Sequence, residues 1–102
     1  MAEKYIDVDT LKYILYDIHN LEELLVRDRF QDHDKESLDM FIDSVKEFAD
    51  RELFPYVKEM DENPAYHKDG KVFVHDQVKT MMHKGGEMGL ISAPFNYEDG
   101  GM

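Results

Sequence analysis

A chain of 102 residues has room for one small domain, and its 42% hydrophobic content is enough to form a core. Its formal net charge of −11 excludes a nucleic-acid binder and disfavours an anionic membrane surface, because both present phosphates that repel carboxylates. The lack of cysteine excludes disulfides and thiolate chemistry, and the lack of a secretory signal or a long apolar run predicts a cytoplasmic protein without a membrane span.

Residues 1–30 are predicted to form an N-terminal helical extension. Asp9 or Thr10 can cap a helix that begins near residue 10, because a short oxygen side chain satisfies the free amides of a first turn. Seven apolar residues follow at helical spacing and share one predicted face: Leu11, Ile14, Leu15, Ile18, Leu21, Leu24 and Leu25. His19 and Asn20 interrupt this pattern without changing its phase. The segment is therefore either one helix or two, the second capped by Asn20.

Residues 34–62 are predicted to form a long, kinked helix with Asp34 as its N-cap. A continuous apolar stripe supports this prediction: Leu38, Phe41, Ile42, Val45, Phe48, Ala49, Leu53, Val57 and Met60. Pro55 lies within the stripe and would cost about 3 kcal/mol in a helix interior. Because burial of the stripe outweighs that cost, we expect the helix to bend or restart at Pro55 and to continue in the same direction. Asn63 and Pro64 end it.

The remaining residues predict a hairpin, a helix and a loop. Asp69-Gly70 between short strand-like arms indicates a β-hairpin over residues 66–74. A helix is expected over residues 76–89, with Val78, Met81 and Met82 facing inward and Gly89 as its left-handed terminator. Residues 90–102 form a loop. The predicted fold is mainly α: residues 1–102 form a single, small up-and-down helical domain of three to four helices with one short hairpin.

No catalytic or metal site can be assembled from these residues. Asp32, Asp34 and Glu36 begin like a calcium-binding loop, but Ser37 occupies the position that requires glycine. The five histidines lack the spacing that places two imidazoles on one helical face. Ser92 is outside a nucleophile elbow and has no base beside it. We therefore predict no catalytic residue and no metal ligand.

Three stretches resemble parts of one enzyme family. The stretch Phe48–Glu62 is similar to the first helix of the flavin-dependent acyl-CoA dehydrogenases, which reads approximately F-A-x-x-E-(I/L)-x-P and is followed by an Asp-Glu pair. Met88–Ser92 followed by Gly100-Gly101 resembles the family's helix end and Gly-Gly loop. Lys4–Leu25 resembles the additional N-terminal segment of its longer members. Asn96 stands where the family usually has proline.

The resemblance implies the N-terminal helical domain of a longer enzyme that oxidises acyl-CoA to 2-enoyl-CoA with FAD. In this family a middle β-domain holds much of the flavin site, and a C-terminal helical domain supplies the catalytic glutamate. This chain is then a fragment that is inactive alone and binds no FAD, and its cofactor-binding residues are unknown. The resemblance also implies that five loop residues lie beside the acyl and flavin cleft: Phe95, Asn96, Tyr97, Gly100 and Gly101.

The expected partners follow from the same resemblance. They are the remaining domains of the parent chain and the acyl-CoA substrate, and the parent is expected to be homo-oligomeric. The alternative is a free-standing, acidic helical module for protein–protein interaction. In that case the long apolar stripe and the methionine-rich third helix would form its docking surface.

Overall fold

A computed structural model describes residues 5–102. The chain separates into two compact units that divide between Glu47 and Phe48, and each is described by itself. The prediction of a mainly helical chain with one short hairpin is confirmed.

The first unit opens with helix α1, Val8–Tyr13. Its N-cap is Asp7, whose carboxylate accepts a hydrogen bond from the backbone N–H of Thr10 at 3.2 Å. The predicted caps, Asp9 and Thr10, are therefore wrong, because both lie inside the first turn. A carboxylate that precedes the helix can reach a free amide, whereas Asp9 already has helical backbone geometry.

A wide π-helical turn, Ile14–Ile18, continues directly from α1 and shifts the phase of the apolar residues. The chain then breaks at Asn20, which has a φ of +51°, and restarts as the short helix α2, Glu22–Leu25. Two helical segments are thus observed. Leu21, and not Asn20, is the N-cap of α2, and it makes no side-chain capping bond.

The predicted face of the extension is split by this π turn. Leu11, Leu15, Leu21 and Leu25 are half-buried, but Ile14, Ile18 and Leu24 are exposed. A π turn contains one residue more than an α turn, which accounts for the position of Ile18, at the end of this turn, away from the predicted face. A single-turn 3-10 helix, Asp28–Phe30, completes the extension.

Helix α3, Lys35–Phe48, begins as predicted at Asp34. The Asp34 carboxylate accepts from the Ser37 amide at 2.7 Å, and the Ser37 hydroxyl accepts from the Asp34 amide at 3.1 Å. These reciprocal bonds satisfy two amides at the helix start. They also lower the pKa of Asp34, chiefly through the bond from the Ser37 backbone.

The extension is attached to the polar side of α3. Lys12 forms an ion pair with Asp43 at 3.0 Å, and the Tyr16 hydroxyl donates a hydrogen bond to Asp39 at 2.8 Å. The Lys35 ammonium lies 4.9 Å from the centre of the Tyr16 ring. Tyr16 is the buried aromatic residue of this unit, and desolvation together with Asp39 raises its pKa to about 12.

In the second unit the helical path passes Pro55 through two irregular turns. A π turn, Ala49–Leu53, is followed by a 3-10 turn, Phe54–Tyr56, and then by helix α4, Val57–Glu62. The wide turn removes the clash between the proline ring and the carbonyl one turn before it. The predicted restart is observed, but Val57 is exposed and not part of the buried face, because the mixed turns change the phase.

A two-residue turn joins the strands of the hairpin, β1 (Tyr66–Lys68) and β2 (Lys71–Phe73). Asp69 and Gly70 have φ values of +53° and +77°, which matches the twist of an antiparallel pair. The rings of Tyr66 and Phe73 stack across the open end at 5.2 Å. The predicted hairpin is confirmed at this position.

Helix α5, Asp76–Glu87, begins at His75, whose Nδ1 accepts a hydrogen bond from the Gln77 amide at 3.0 Å. Val78 and Met81 are half-buried as expected, but Met82 is exposed, so the prediction that it faces inward is wrong. The buried residues of α5 are instead Gln77 and Gly85.

Gly89, with a φ of +79°, ends α5 in a Schellman motif. The Leu90 amide donates to the Gly85 carbonyl and the Gly89 amide donates to the Gly86 carbonyl, both at 3.0 Å. Gly85 lies against the buried ring of Phe48, so a small residue lets α5 approach the π turn closely.

Candidate functional site

The loop after α5 folds back on itself over residues 92–102. The Phe95 amide donates to the Ser92 carbonyl at 2.9 Å, and a 3-10 turn, Tyr97–Asp99, follows. The Met102 amide reaches the Ala93 carbonyl at 3.4 Å. These bonds join the two ends of the segment, so it is a closed loop held by its own backbone.

The two glycines at the end of the loop have separate reasons to be glycine. Gly100 has a φ of +94°, a conformation that a side chain disfavours. Gly101 donates its amide to the Asn96 carbonyl at 2.9 Å, and a Cβ at this position would overlap the Phe95 carbonyl oxygen. The pair therefore closes the loop in a way that other residues could not reproduce without moving the backbone.

Two aromatic side chains project from this closed loop. The exposed fractions of Phe95 and Tyr97 are 55% and 85%, although large aromatic surfaces are usually buried. The charged residues beside them, Glu98 and Asp99, are acidic. This surface can cover an apolar or aromatic group, but it offers no cation for a phosphate.

The structure brings all five predicted loop residues together in this closed segment: Phe95, Asn96, Tyr97, Gly100 and Gly101. Their proposed position beside an acyl and flavin cleft stays a prediction.

A second cluster surrounds the carboxylate of Glu52, which the sequence analysis did not identify. Only 6% of Glu52 is exposed. Lys84 donates to its Oε1 at 2.7 Å, Gln77 donates to its Oε2 at 3.2 Å, and Arg51 lies 3.3 Å from Oε1. Gln77 also donates to the Glu52 carbonyl at 2.8 Å. The cluster thus links the π turn to α5.

The electrostatics of this cluster indicate a structural role. The hydrogen bond from Lys84 is the largest cause of a lowered pKa at Glu52, and the bond from Gln77 acts in the same direction. A carboxylate with a lowered pKa is a weaker proton acceptor, so the setting opposes general-base catalysis. The sequence did carry a signal: Glu52 follows Phe48 by four residues, which places a charge on the apolar face of the predicted helix.

Two further titratable residues, one acidic and one histidine, act as helix caps. Asp34 caps α3, and His75 caps α5 while its Nε2 lies 3.0 Å from Glu59. Within residues 5–102, no three His, Asp or Glu side chains are placed to hold one metal ion. In the same range, no helix is both long and apolar enough to cross a membrane.

The comparisons with known proteins give one positive result. The family model described as "Acyl-CoA dehydrogenase, N-terminal domain" matches residues 35–102, and this match begins at the first residue of α3. Neither a curated protein nor a solved structure matches the chain. The match includes the Glu52 cluster, the hairpin and the closed loop, and the extension before residue 35 lies outside it.

Proposed function

The chain belongs to the acyl-CoA dehydrogenase N-terminal domain family, and on this basis we propose that it is the helical N-terminal domain of an enzyme that oxidises acyl-CoA to 2-enoyl-CoA with FAD. The observation that carries the proposal is the family match over the 68 residues from 35 to 102, which include the closed aromatic loop. When bound, FAD would supply the two-electron acceptor for this oxidation, and a base would take the α-proton of the thioester.

The proposed role of this chain is to cover part of the cleft. Phe95 and Tyr97 fit an acyl chain or the edge of a flavin ring, because both present exposed aromatic surface on a constrained backbone. The acidic neighbours Glu98 and Asp99 do not fit the flavin's diphosphate, which we expect the other domains to hold. Exclusion of water by the aromatic pair would strengthen electrostatic interactions at the reacting carbons.

We propose that the catalytic base comes from another domain of the parent. Glu52 is the most buried carboxylate of the described residues, but it is held by Lys84 and Gln77. The chain alone is then expected to be inactive and to bind no FAD. Stoichiometric flavin binding by residues 1–102 would contradict this division of roles.

The first test uses the protein made from the intact reading frame. Its visible spectrum is recorded, and acyl-CoA thioesters of different chain length are added without oxygen. A yellow protein whose flavin bleaches with one thioester would support the proposal and identify the substrate class. A colourless protein that cannot be reconstituted with FAD would refute it.

The second test asks whether the loop contacts the cleft. Tyr97→Ala in the active enzyme removes an aromatic contact worth about 1–2 kcal/mol, so we expect kcat/KM to fall by about five- to thirtyfold. Glu98→Ala is the matched control, since it alters the next exposed residue without removing apolar surface. Equal effects of the two variants would show that the loop does not contact the substrate through Tyr97.

A free-standing interaction module is the second candidate, and the large number of exposed apolar side chains favours it. This alternative predicts a colourless protein that binds another protein through those surfaces. It therefore differs from the dehydrogenase proposal in the outcome of the flavin experiment.

A further inference from the structure

Two aspartates of this chain are followed directly by glycine. Asp69-Gly70 forms the turn of the hairpin, and Asp99-Gly100 lies in the closed loop. In such a pair the amide nitrogen of the glycine can attack the side-chain carboxyl carbon of the aspartate, because glycine has no side chain that hinders the approach. The same chemistry is therefore open to both pairs, and the local structure decides which of them reacts.

The reacting groups of the Asp69-Gly70 pair are unengaged. Both residues are exposed, and the Asp69 carboxylate makes no ion pair or hydrogen bond within residues 5–102. In the same part of the chain the Gly70 amide donates no hydrogen bond. Apart from the adjoining residues, no atom lies within 4 Å of the place that a Cβ of Gly70 would occupy. The nitrogen and the carboxyl carbon are thus both accessible.

The hairpin around this pair can open by itself. Its two strands, of three residues each, pair only with one another, and every residue of both strands is exposed. A hairpin of two strands is at best marginally stable in water. Its opening should therefore require much less free energy than unfolding of the helices. An open turn is released from the φ values of +53° and +77°, so the Gly70 nitrogen can reach the carboxyl carbon.

The Asp99-Gly100 pair is held by its own backbone. The Gly100 amide donates to the Tyr97 carbonyl at 3.1 Å, so the nitrogen that would attack is already engaged. The amides of Asp99 and Gly101 both donate to the Asn96 carbonyl at 2.9 Å. Reaction at this pair requires the closed loop to open, which breaks several hydrogen bonds together.

We propose that Asp69 is a site of spontaneous conversion to isoaspartate, and that the folded chain directs this modification to Asp69 and away from Asp99. The Gly70 nitrogen bonds to Cγ of the protonated Asp69 carboxyl, and the carboxyl hydroxyl leaves with the amide proton as water. Water then opens the cyclic imide. Cleavage between the nitrogen and Cγ restores aspartate, whereas cleavage between the nitrogen and the backbone carbonyl carbon gives isoaspartate. The mass is unchanged, and no oxidant, reductant or cofactor takes part.

The modification changes the length of the turn. In isoaspartate the main chain runs through Cγ, so a two-residue turn gains one backbone carbon. The register of a hairpin depends on the type and length of its turn. Conversion of Asp69 is therefore expected to undo the pairing of Tyr66 with Phe73, whose rings now stack at 5.2 Å. This inference does not rest on the proposed dehydrogenase function.

The test compares the two pairs within one molecule. The 102-residue chain is kept at physiological temperature for several weeks, in buffer and in concentrated urea. Isoaspartate at positions 69 and 99 is measured by peptide separation with mass spectrometry, and by methyl transfer with an isoaspartate-specific carboxyl methyltransferase. In buffer we expect formation to be at least about tenfold faster at position 69, because the hairpin opens more readily. Urea unfolds both pairs, so the two rates should there agree within about threefold.

A matched pair of variants gives an independent readout. Asp69→Asn and Asp99→Asn react through the same imide but release ammonia, so the intact mass reports the reaction. Asparagine followed by glycine also suits the hairpin turn, so Asp69→Asn keeps the hairpin. In buffer its mass should change at least about tenfold faster than that of Asp99→Asn.

The structural consequence is followed by NMR. Cross-strand NOEs between Tyr66 and Phe73 should decline in proportion to the isoaspartate formed at position 69. Equal rates at the two positions in buffer, a faster reaction at position 99, or no isoaspartate at position 69 would overturn the proposed site. Modified chains that keep these NOEs would overturn its proposed effect on the hairpin.

Discussion

Gly85→Ala is expected to stabilise the chain, although Gly85 is buried. A methyl group at this position would lie 3.7 Å from the Phe48 ring and 3.8 Å from Leu90, which are ordinary contact distances. Replacing glycine by alanine within a helix contributes about 1 kcal/mol, and burying the new methyl adds up to about 0.8 kcal/mol. We therefore expect the free energy of unfolding to rise by about 1–2 kcal/mol, measured by urea denaturation followed by circular dichroism.

Two neighbouring glycines provide matched controls for this prediction. At Gly86 the new methyl meets only Ile91, at 3.9 Å on an exposed surface, so Gly86→Ala should give the helical gain of about 1 kcal/mol without the burial. Gly89→Ala should destabilise by about 1–2 kcal/mol, because the φ of +79° is unfavourable for alanine. If Gly86→Ala stabilises the chain but Gly85→Ala does not, the packing against Phe48 is tighter than the structure indicates.

Three other changes test contacts elsewhere in the chain. Tyr16→Phe removes the hydrogen bond to Asp39 and should lower the free energy of unfolding by about 1–2 kcal/mol. Because the folded pKa of Tyr16 is raised to about 12, its contribution to stability is full below pH 10 and is lost between pH 10 and about 12. This loss should occur in the wild type and not in the variant. Glu52 has a lowered folded pKa, so its contribution to stability is present above its ordinary pKa and is lost as acid protonates it. Glu52→Gln should therefore flatten the acid limb of a plot of unfolding free energy against pH. An unchanged acid limb would contradict the observed contact with Lys84. Gly70→Ala, at a φ of +77°, should weaken the hairpin, which the loss of cross-strand NOEs would report.

Features that depend on a few adjacent residues could be predicted from the sequence. Asp69-Gly70 determines a two-residue turn because both positions need positive φ, and Asp34 caps α3 because its carboxylate reaches an amide three residues ahead. Gly89 ends α5 for a similarly local reason. The five loop residues were singled out by the resemblance to the acyl-CoA dehydrogenases, and their relation to a substrate remains a prediction.

The two π turns explain part of what could not be predicted. Hydrophobic periodicity assumes 3.6 residues per turn, and one wider turn changes the phase of the residues that follow it directly. This is why Ile18 and Val57 are exposed, while Tyr16 is buried by its bond to Asp39. Burial of Glu52 depends on partners 25 and 32 residues away, which no local pattern contains.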